Sequence, residues 1–165
     1  MAGTTDQTQV APQRVVASTP VSGDVLVRAT VLRDIARHAE QAAPNECCGL
    51  LIGTGAGVES VHPARNLRQS PTRYLVDPAD HFAAIKSSRQ AGLVVVGAYH
   101  SHPTSSAWPS QTDEQEASDA DFLYLIVSLV TGETRGFRLV EGRLQAVPLR
   151  VAGCSLSGKV RRSSG

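Results

Sequence analysis

Two histidines flanking a serine, an aspartate eleven residues further on and a separate upstream glutamate are the side chains best suited to chemistry in this sequence. His100 and His102 close an apolar run, Leu93–Tyr99, that has the character of a central buried strand. Side chains two apart in a strand point to one side, so the two imidazoles share a face and Ser101 points away. Asp113 falls in the first turn of the helix expected from Ser110 to about Ala120, and the loop 103–109 can return it to the strand end. Two imidazoles and a carboxylate form a three-ligand set with one tetrahedral position open for water, which is the catalytic rather than the structural form of a zinc site.

Such a centre also needs a proton carrier. Water on zinc ionises near neutral pH, and a base must take its proton and pass it to a leaving amine. Glu46, before the apolar run Cys47–Ile52, is the best candidate. Ser110, three residues before Asp113, shares a helix face with it, and its hydroxyl is suited to donating to an oxyanion. Each piece alone has a plainer explanation. A His-x-His pair is commonly just a polar strand end, Ser110-x-x-Asp113 has the form of an N-terminal capping arrangement, and a lone glutamate after a proline-ended helix means nothing. Their combination on a strand–loop–helix unit is what favours a metal centre.

The elements that must hold these residues are readable from periodicity and punctuation. Val25–Val27 is a first strand. Val31, Leu32, Ile35, Ala36, Ala39 and Ala43 recur at helical spacing, with Thr30 as the expected cap and Pro44 as the stop. Cys47–Ile52 and Val58–Val61 are strands joined by a turn at Gly55-Ala56-Gly57. Asp77-Pro78 opens a second helix that runs to Gly92. Phe122–Leu129, Arg135–Val140 and Leu144–Val151 are three closing strands. The order predicts an α/β (α+β) fold with a mixed β-sheet flanked by helices.

The folded unit is expected over residues 23–152. Residues 1–22 are expected to be a disordered tail, and 153–165 a flexible basic one. Formal net charge is +1, which argues against a nucleic-acid binder working through a broad basic surface. Lys159, Arg161 and Arg162 are read as a solvated end. Cys47, Cys48 and Cys154 fit no zinc framework, since neighbours in a strand face opposite ways. The N-terminal stretch has neither the basic start nor the apolar run of a signal peptide, and no segment has the length to span a bilayer, so a cytoplasmic protein is expected.

Glu46, His100-Ser101-His102-Pro103, Ser110 and Asp113 match at every position the signature Glu…His-x-His-Pro-x6-Ser-x-x-Asp, and the sequence thereby resembles the JAMM (MPN-plus, JAB domain) zinc metalloproteases. Pro44-Asn45-Glu46-Cys47-Cys48-Gly49-Leu50-Leu51-Ile52-Gly53 is similar to that family's Pro-x-Glu-x-Cys-Gly-Leu-Leu-x-Gly segment, and the resemblance covers roughly residues 24–150. It implies a fold related to cytidine deaminases and one Zn2+ per chain on His100, His102 and Asp113. Glu46 would be the general base and acid, and Ser110 the oxyanion donor. It further implies a ubiquitin-like partner with a C-terminal Gly-Gly tail, cut after its last glycine.

The short loops 64–76 and 103–109, and the stretch Trp108-Pro109-Ser110-Gln111-Thr112-Asp113, most resemble small bacterial members that act on ubiquitin-like sulfur-carrier proteins and free an amino acid such as cysteine. Trp108 is then a candidate for contacting the substrate tail, anchoring of its own loop being an equal alternative. Asn66 and Tyr74 are candidates to line the groove, with ordinary loop roles the plainer explanation. Four rivals stand beside this reading: a deubiquitinase-like isopeptidase, a non-catalytic module that binds a ubiquitin-like protein, a DNA-repair-associated relative within the broad fold, against which the near-neutral charge speaks, and a zinc deaminase. The last normally carries His-x-Glu followed by Pro-Cys-x-x-Cys, and no Pro-Cys-x-x-Cys occurs here to follow His38-Ala39-Glu40.

Overall fold

Short apolar runs broken by glycine and proline assemble into one mixed sheet of eight strands with three helices. The computed structural model describes residues 23–153, so the expectations for residues 1–22, for Cys154 and for the basic end lie outside the described residues. In chain order the elements are β1 (Val25–Arg28), α1 (Ala29–Ala42), β2 (Cys48–Thr54), β3 (Gly57–Ala64), α2 (Pro78–Gln90), β4 (Val94–His102), α3 (Gln111–Glu116), β5 (Leu123–Ser128), β6 (Thr134–Val140), β7 (Arg143–Val147) and β8 (Leu149–Ala152). The sheet order is β7-β6-β5-β4-β2-β3-β1-β8. The expected mixed character is present: β4 and β5 run parallel, while β2 is antiparallel to both β3 and β4. Among the described residues no helix is long and apolar enough to cross a membrane.

Helix α1 lies on one face of the sheet. Its Val31, Ile35 and Ala39 recur every four residues, and all three are buried against Leu51, Tyr99, Leu125 and Val127. Burying each Val or Ile contributes about 1.5–3 kcal/mol. Thr30 is not the cap. Arg28 occupies that position without a side-chain hydrogen bond, because β1 passes straight into α1. Packing of the apolar stripe takes the place of local capping. Helix α2 covers the opposite face, with Ala84 against Leu50 and Ile52. It begins as expected, Pro78 following Asp77, whose carboxylate accepts from Ala79 N at 2.8 Å.

Two further expectations are corrected. Residues 144–151 form two strands rather than one. Pro148 has no N–H to give a ladder, and its carbonyl accepts from Val25 N at 2.9 Å. On one side of it β7 pairs with β6, and on the other β8 pairs with β1 in parallel, so one run of chain joins the two edges of a curled sheet. Helix α3 stops at Glu116 rather than near Ala120. Ala117 is extended, and the Tyr124 hydroxyl accepts from Asp119 N and donates to Asp119 O, both at 3.1 Å. Backbone groups that would have continued the helix are thus engaged by β5.

Strand β4 is central, as expected, but only its second half is uniformly buried. Its neighbour β5 lies close. A Cβ on Gly97 would stand 2.0 Å from the Leu123 carbonyl oxygen, so only glycine allows this spacing.

Candidate metal centre

The cluster forms where β4 ends. The strand runs on through His102 instead of stopping at Tyr99, so the imidazoles of His100 and His102 project from regular β structure. Ser101 faces the other way, as the period of two requires, and its buried hydroxyl accepts from Cys47 N at 2.8 Å. The antiparallel register pairs Cys48 with His100, and Ser101 N donates to Cys47 O at 3.1 Å. Continued by two residues, that register sets Glu46 opposite His102. Glu46, His100 and His102 therefore share one face, and Cys47 sits among core residues on the other.

The loop 103–109 brings Asp113 back, as the spacing predicts. His100 Nε2 lies 3.2 Å from Asp113 Oδ1, His102 Nε2 lies 3.2 Å from Asp113 Oδ2, and the two Nε2 atoms are 3.1 Å apart. Bonds of about 2.0–2.1 Å to a tetrahedral ion put its ligand atoms about 3.3 Å apart, so this spacing suits a metal. His102 Nδ1 is 2.8 Å from the Ser106 carbonyl oxygen, which only accepts. The proton therefore sits on Nδ1, and Nε2 keeps its lone pair for an ion.

Ser110 is the N-cap of α3. Its hydroxyl accepts from Asp113 N at 3.1 Å and donates to Asp113 Oδ2 at 2.7 Å, and Ser110 N donates to the same oxygen at 2.7 Å. The capping arrangement weighed as a plainer explanation is thus present, and it orients the carboxylate of the cluster. The single hydroxyl proton is engaged there, so donation to an oxyanion requires the hydroxyl to rotate.

The electrostatics agree with the geometry. Burial opposes ionisation of Asp113, but hydrogen bonds from His100 and His102 outweigh it and hold the carboxyl well below the usual range. Burial lowers His100, against the pull of Asp113, and so favours the neutral imidazole that binds metals. Burial would lower His102 as well, yet Asp113 and the Ser106 carbonyl raise it. Burial pushes Glu46 up to about 8, against the attraction of His102. Its Oε2 is a buried oxygen with no hydrogen-bond partner. A buried polar atom of that kind is costly unless something fills the space beside it. An orphaned carboxylate oxygen on the sheet face that carries three convergent ligand atoms fits a site for a metal ion and a water.

The remaining candidates lie around this centre. Tyr74 stacks on His100, with ring centroids 4.4 Å apart and planes 20° from parallel. It also lines a valley of about 450 Å3 between α2 and α3, floored by Leu50, Ala98 and Tyr124. Trp108 is half exposed. It meets Phe137 edge-on and has the Arg135 guanidinium 4.9 Å from its ring centre, so one face is engaged with its own fold. Burial pushes the Cys47 and Cys48 thiols up to about 11 and about 12, which leaves them protonated at neutral pH and poor ligands. The Ser106 carbonyl was not foreseeable, because a backbone oxygen leaves no mark on residue type.

A family model describing prokaryotic homologs of the JAB domain matches residues 28–140. This chain belongs to the JAB family. It is similar to the CysO-cysteine peptidase of Mycobacterium tuberculosis, with 33% identity over 132 residues, covering 77% of this chain and 90% of that protein. It is also similar to a probable TtuB-protein conjugate cleaving protease of Thermus thermophilus, 37% identical over 114 residues, 68% of this chain and 74% of that one. A JAB1/MPN domain protein from Archaeoglobus fulgidus shares the fold, with a TM-score of 0.53 at 21% identity over 80% of this chain and 99% of that one. Within the JAB family this chain is a JAMM-type peptidase, and its His100, His102 and Asp113 form a group able to hold the family's metal.

Proposed function

We propose that this JAB-family chain is a cytoplasmic zinc peptidase that hydrolyses the amide bond after the C-terminal glycine of a ubiquitin-like sulfur-carrier protein, releasing an amino acid such as cysteine. The observation that carries the reading is the buried His100–His102–Asp113 cluster with the unpartnered Oε2 of Glu46 beside it. Similarity to a CysO-cysteine peptidase and the short loops on either side of the cluster support this choice of substrate. Residues 23–152 are the catalytic unit in this reading.

His100, His102 and Asp113 would hold one Zn2+, whose chemistry when bound is to polarise a carbonyl and make water acidic near neutral pH. Glu46 receives a proton from the attacking water at its carboxylate and returns it to the departing amine nitrogen. Burial raises the Glu46 carboxyl and so makes its carboxylate a stronger base for the first half of that exchange. Ser110 rotates its hydroxyl from Asp113 towards the carbonyl oxygen and stabilises the charge that develops there. The extended Gly-Gly tail of the carrier lies along a loop edge and pairs through its backbone. Trp108 touches the substrate with its free face.

The test is mass-resolved cleavage of a sulfur-carrier protein bearing a cysteinyl group on its last glycine, by the wild type and by Glu46→Gln, with metal content measured for both. Zinc in both proteins and a loss of about 10²–10⁴-fold in kcat for Glu46→Gln is the expected result. Zinc in both with the adduct left intact by the wild type would reject the substrate, and a ubiquitin-like protein conjugate becomes the next one to try. Absence of metal from both would reject the metal centre.

A further inference from the structure

The two histidines of the cluster are not held in the same way. A backbone carbonyl fixes the far nitrogen of His102, whereas the described hydrogen bonds and ion pairs of His100 all run through Nε2, the atom that faces the cluster. What bears on the rest of the His100 ring is Tyr74, stacked 4.4 Å away. Tyr74 comes from the loop between β3 and α2, which has no regular structure of its own beyond one bridge, Asn66 to Val76.

One carboxamide makes four of the hydrogen bonds that tie that loop down. Asn66 Nδ2 donates to Glu46 O and to Arg73 O, both at 3.0 Å, and Asn66 Oδ1 accepts from Arg68 N and Leu75 N, both at 3.0 Å. All four hydrogen bonds available to an amide side chain are made. Two go to Arg73 and Leu75, the residues on either side of Tyr74, and one goes to the backbone of Glu46. The other backbone group of Glu46 is bonded to the same loop, its N–H donating to Ser70 O at 2.9 Å. The side chain proposed to move protons and the ring that steadies His100 are therefore both referenced to Asn66.

We propose that Asn66 and Tyr74 are positioning residues for the metal centre: Asn66 locks the loop to the backbone of Glu46, and the loop thereby holds Tyr74 against His100. This inference rests on the zinc-peptidase reading above. Tyr74 sets the orientation of one imidazole by stacking, the task that a hydrogen bond performs for the other, and partners of this outer kind are commonly worth 10–100-fold in metal affinity.

The experiment measures zinc affinity by chelator competition, and kcat at saturating zinc, on the full chain. The variants are Tyr74→Phe, Tyr74→Leu, Asn66→Asp and the double variant Asn66→Asp/Tyr74→Leu. Phenylalanine keeps the stack, so Tyr74→Phe should bind zinc within about twofold of the wild type, while Tyr74→Leu should bind about tenfold more weakly. Aspartate keeps the size of Asn66 and both of its acceptor bonds but loses the two donors, so Asn66→Asp should weaken zinc about tenfold and lower kcat as well. The two changes act through one another. The double variant should therefore be no weaker for zinc than about the worse single variant.

A double variant whose losses multiply to about 100-fold would overturn the coupling. So would an Asn66→Asp protein with the zinc affinity and kcat of the wild type. If Asn66→Asp yields no folded protein, the difference between Tyr74→Phe and Tyr74→Leu decides, and equal affinities overturn the proposal. A wild type that binds no zinc overturns the metal reading and this inference with it, whereas a zinc-binding wild type with unaffected variants overturns this inference alone.

Discussion

At its first residues β4 is open to solvent. Val94 is 53% exposed, and Val94–Val96 line a cleft of about 340 Å3 with the β2–β3 turn, Asp24, Asp121 and Arg138. At its last residues the same strand is closed, with His100 2% and His102 4% exposed. Space borders both ends, the valley beside Tyr74 being about 450 Å3, but only the closed end has the chemistry. At the open end Asp24 and Asp121 are exposed, and Arg138 donates to the Asp121 carbonyl at 3.1 Å, so these groups sit in or near water. At the closed end three ligand atoms converge within about a hydrogen bond of one another in a poorly solvated place, where each governs the ionisation of the next. A cavity by itself does not make a reactive site. Convergence of polar groups under burial does.

The contrast can be broken most severely at Asp113. Asp113→Ala leaves both imidazoles but removes the carboxylate that links them. Loss of zinc and a fall in kcat/KM of about 10³-fold are expected, measured by metal analysis and steady-state cleavage. In the wild type, zinc at a hundred times its Kd should raise the unfolding free energy by about 2.7 kcal/mol, seen as a higher Tm, and Asp113→Ala should show no such rise.

A smaller effect is expected midway along the strand. Gly97→Ala forces β5 away from β4, because its Cβ would meet the Leu123 carbonyl oxygen. Overpacking of this kind costs about 1–3 kcal/mol, or roughly 5–10 °C in Tm. The same pair of strands reaches the cluster, where Leu129 N donates to His102 O at 3.1 Å. Zinc affinity should therefore fall too, and an unchanged affinity beside a lower Tm would show that the two ends of β4 are mechanically independent.

The smallest effect belongs to the open end. Val94→Thr should change stability by no more than about 0.5 kcal/mol and leave cleavage unchanged, by thermal unfolding and steady-state kinetics. A large loss of activity there would mean that the far cleft is coupled to the cluster and would remove the contrast.

Much of this was legible in the residues. The period of two through His100-Ser101-His102 placed the imidazoles on one face, the dipeptide Asp77-Pro78 marked the start of α2, and the spacing from Pro103 to Asp113 put the carboxylate in the first turn of α3. These are local features, set by backbone geometry over a few bonds. Other features depended on distant partners. Thr30 has the composition of a cap, but continuity of β1 with α1 made a cap unnecessary. The run 144–151 alternates like one strand, yet Pro148 hands it from β6 to β1.

The amino-acid sequence by itself determined which chemistry was available: two imidazoles, a carboxylate and a further glutamate, on elements whose periods follow from the chain's own geometry. Tertiary structure alone decided how that chemistry is tuned. Glu46 stands opposite His102 only because β2 and β4, separated by a hairpin strand and a helix, pair in one register, and burial then pushes its carboxyl up to about 8. Tyr74 meets His100 from a loop that Asn66 and Ser70 bond to the backbone of Glu46. Register and desolvation are properties of the assembled sheet, set by what packs against each group, and spacing along the chain does not encode them.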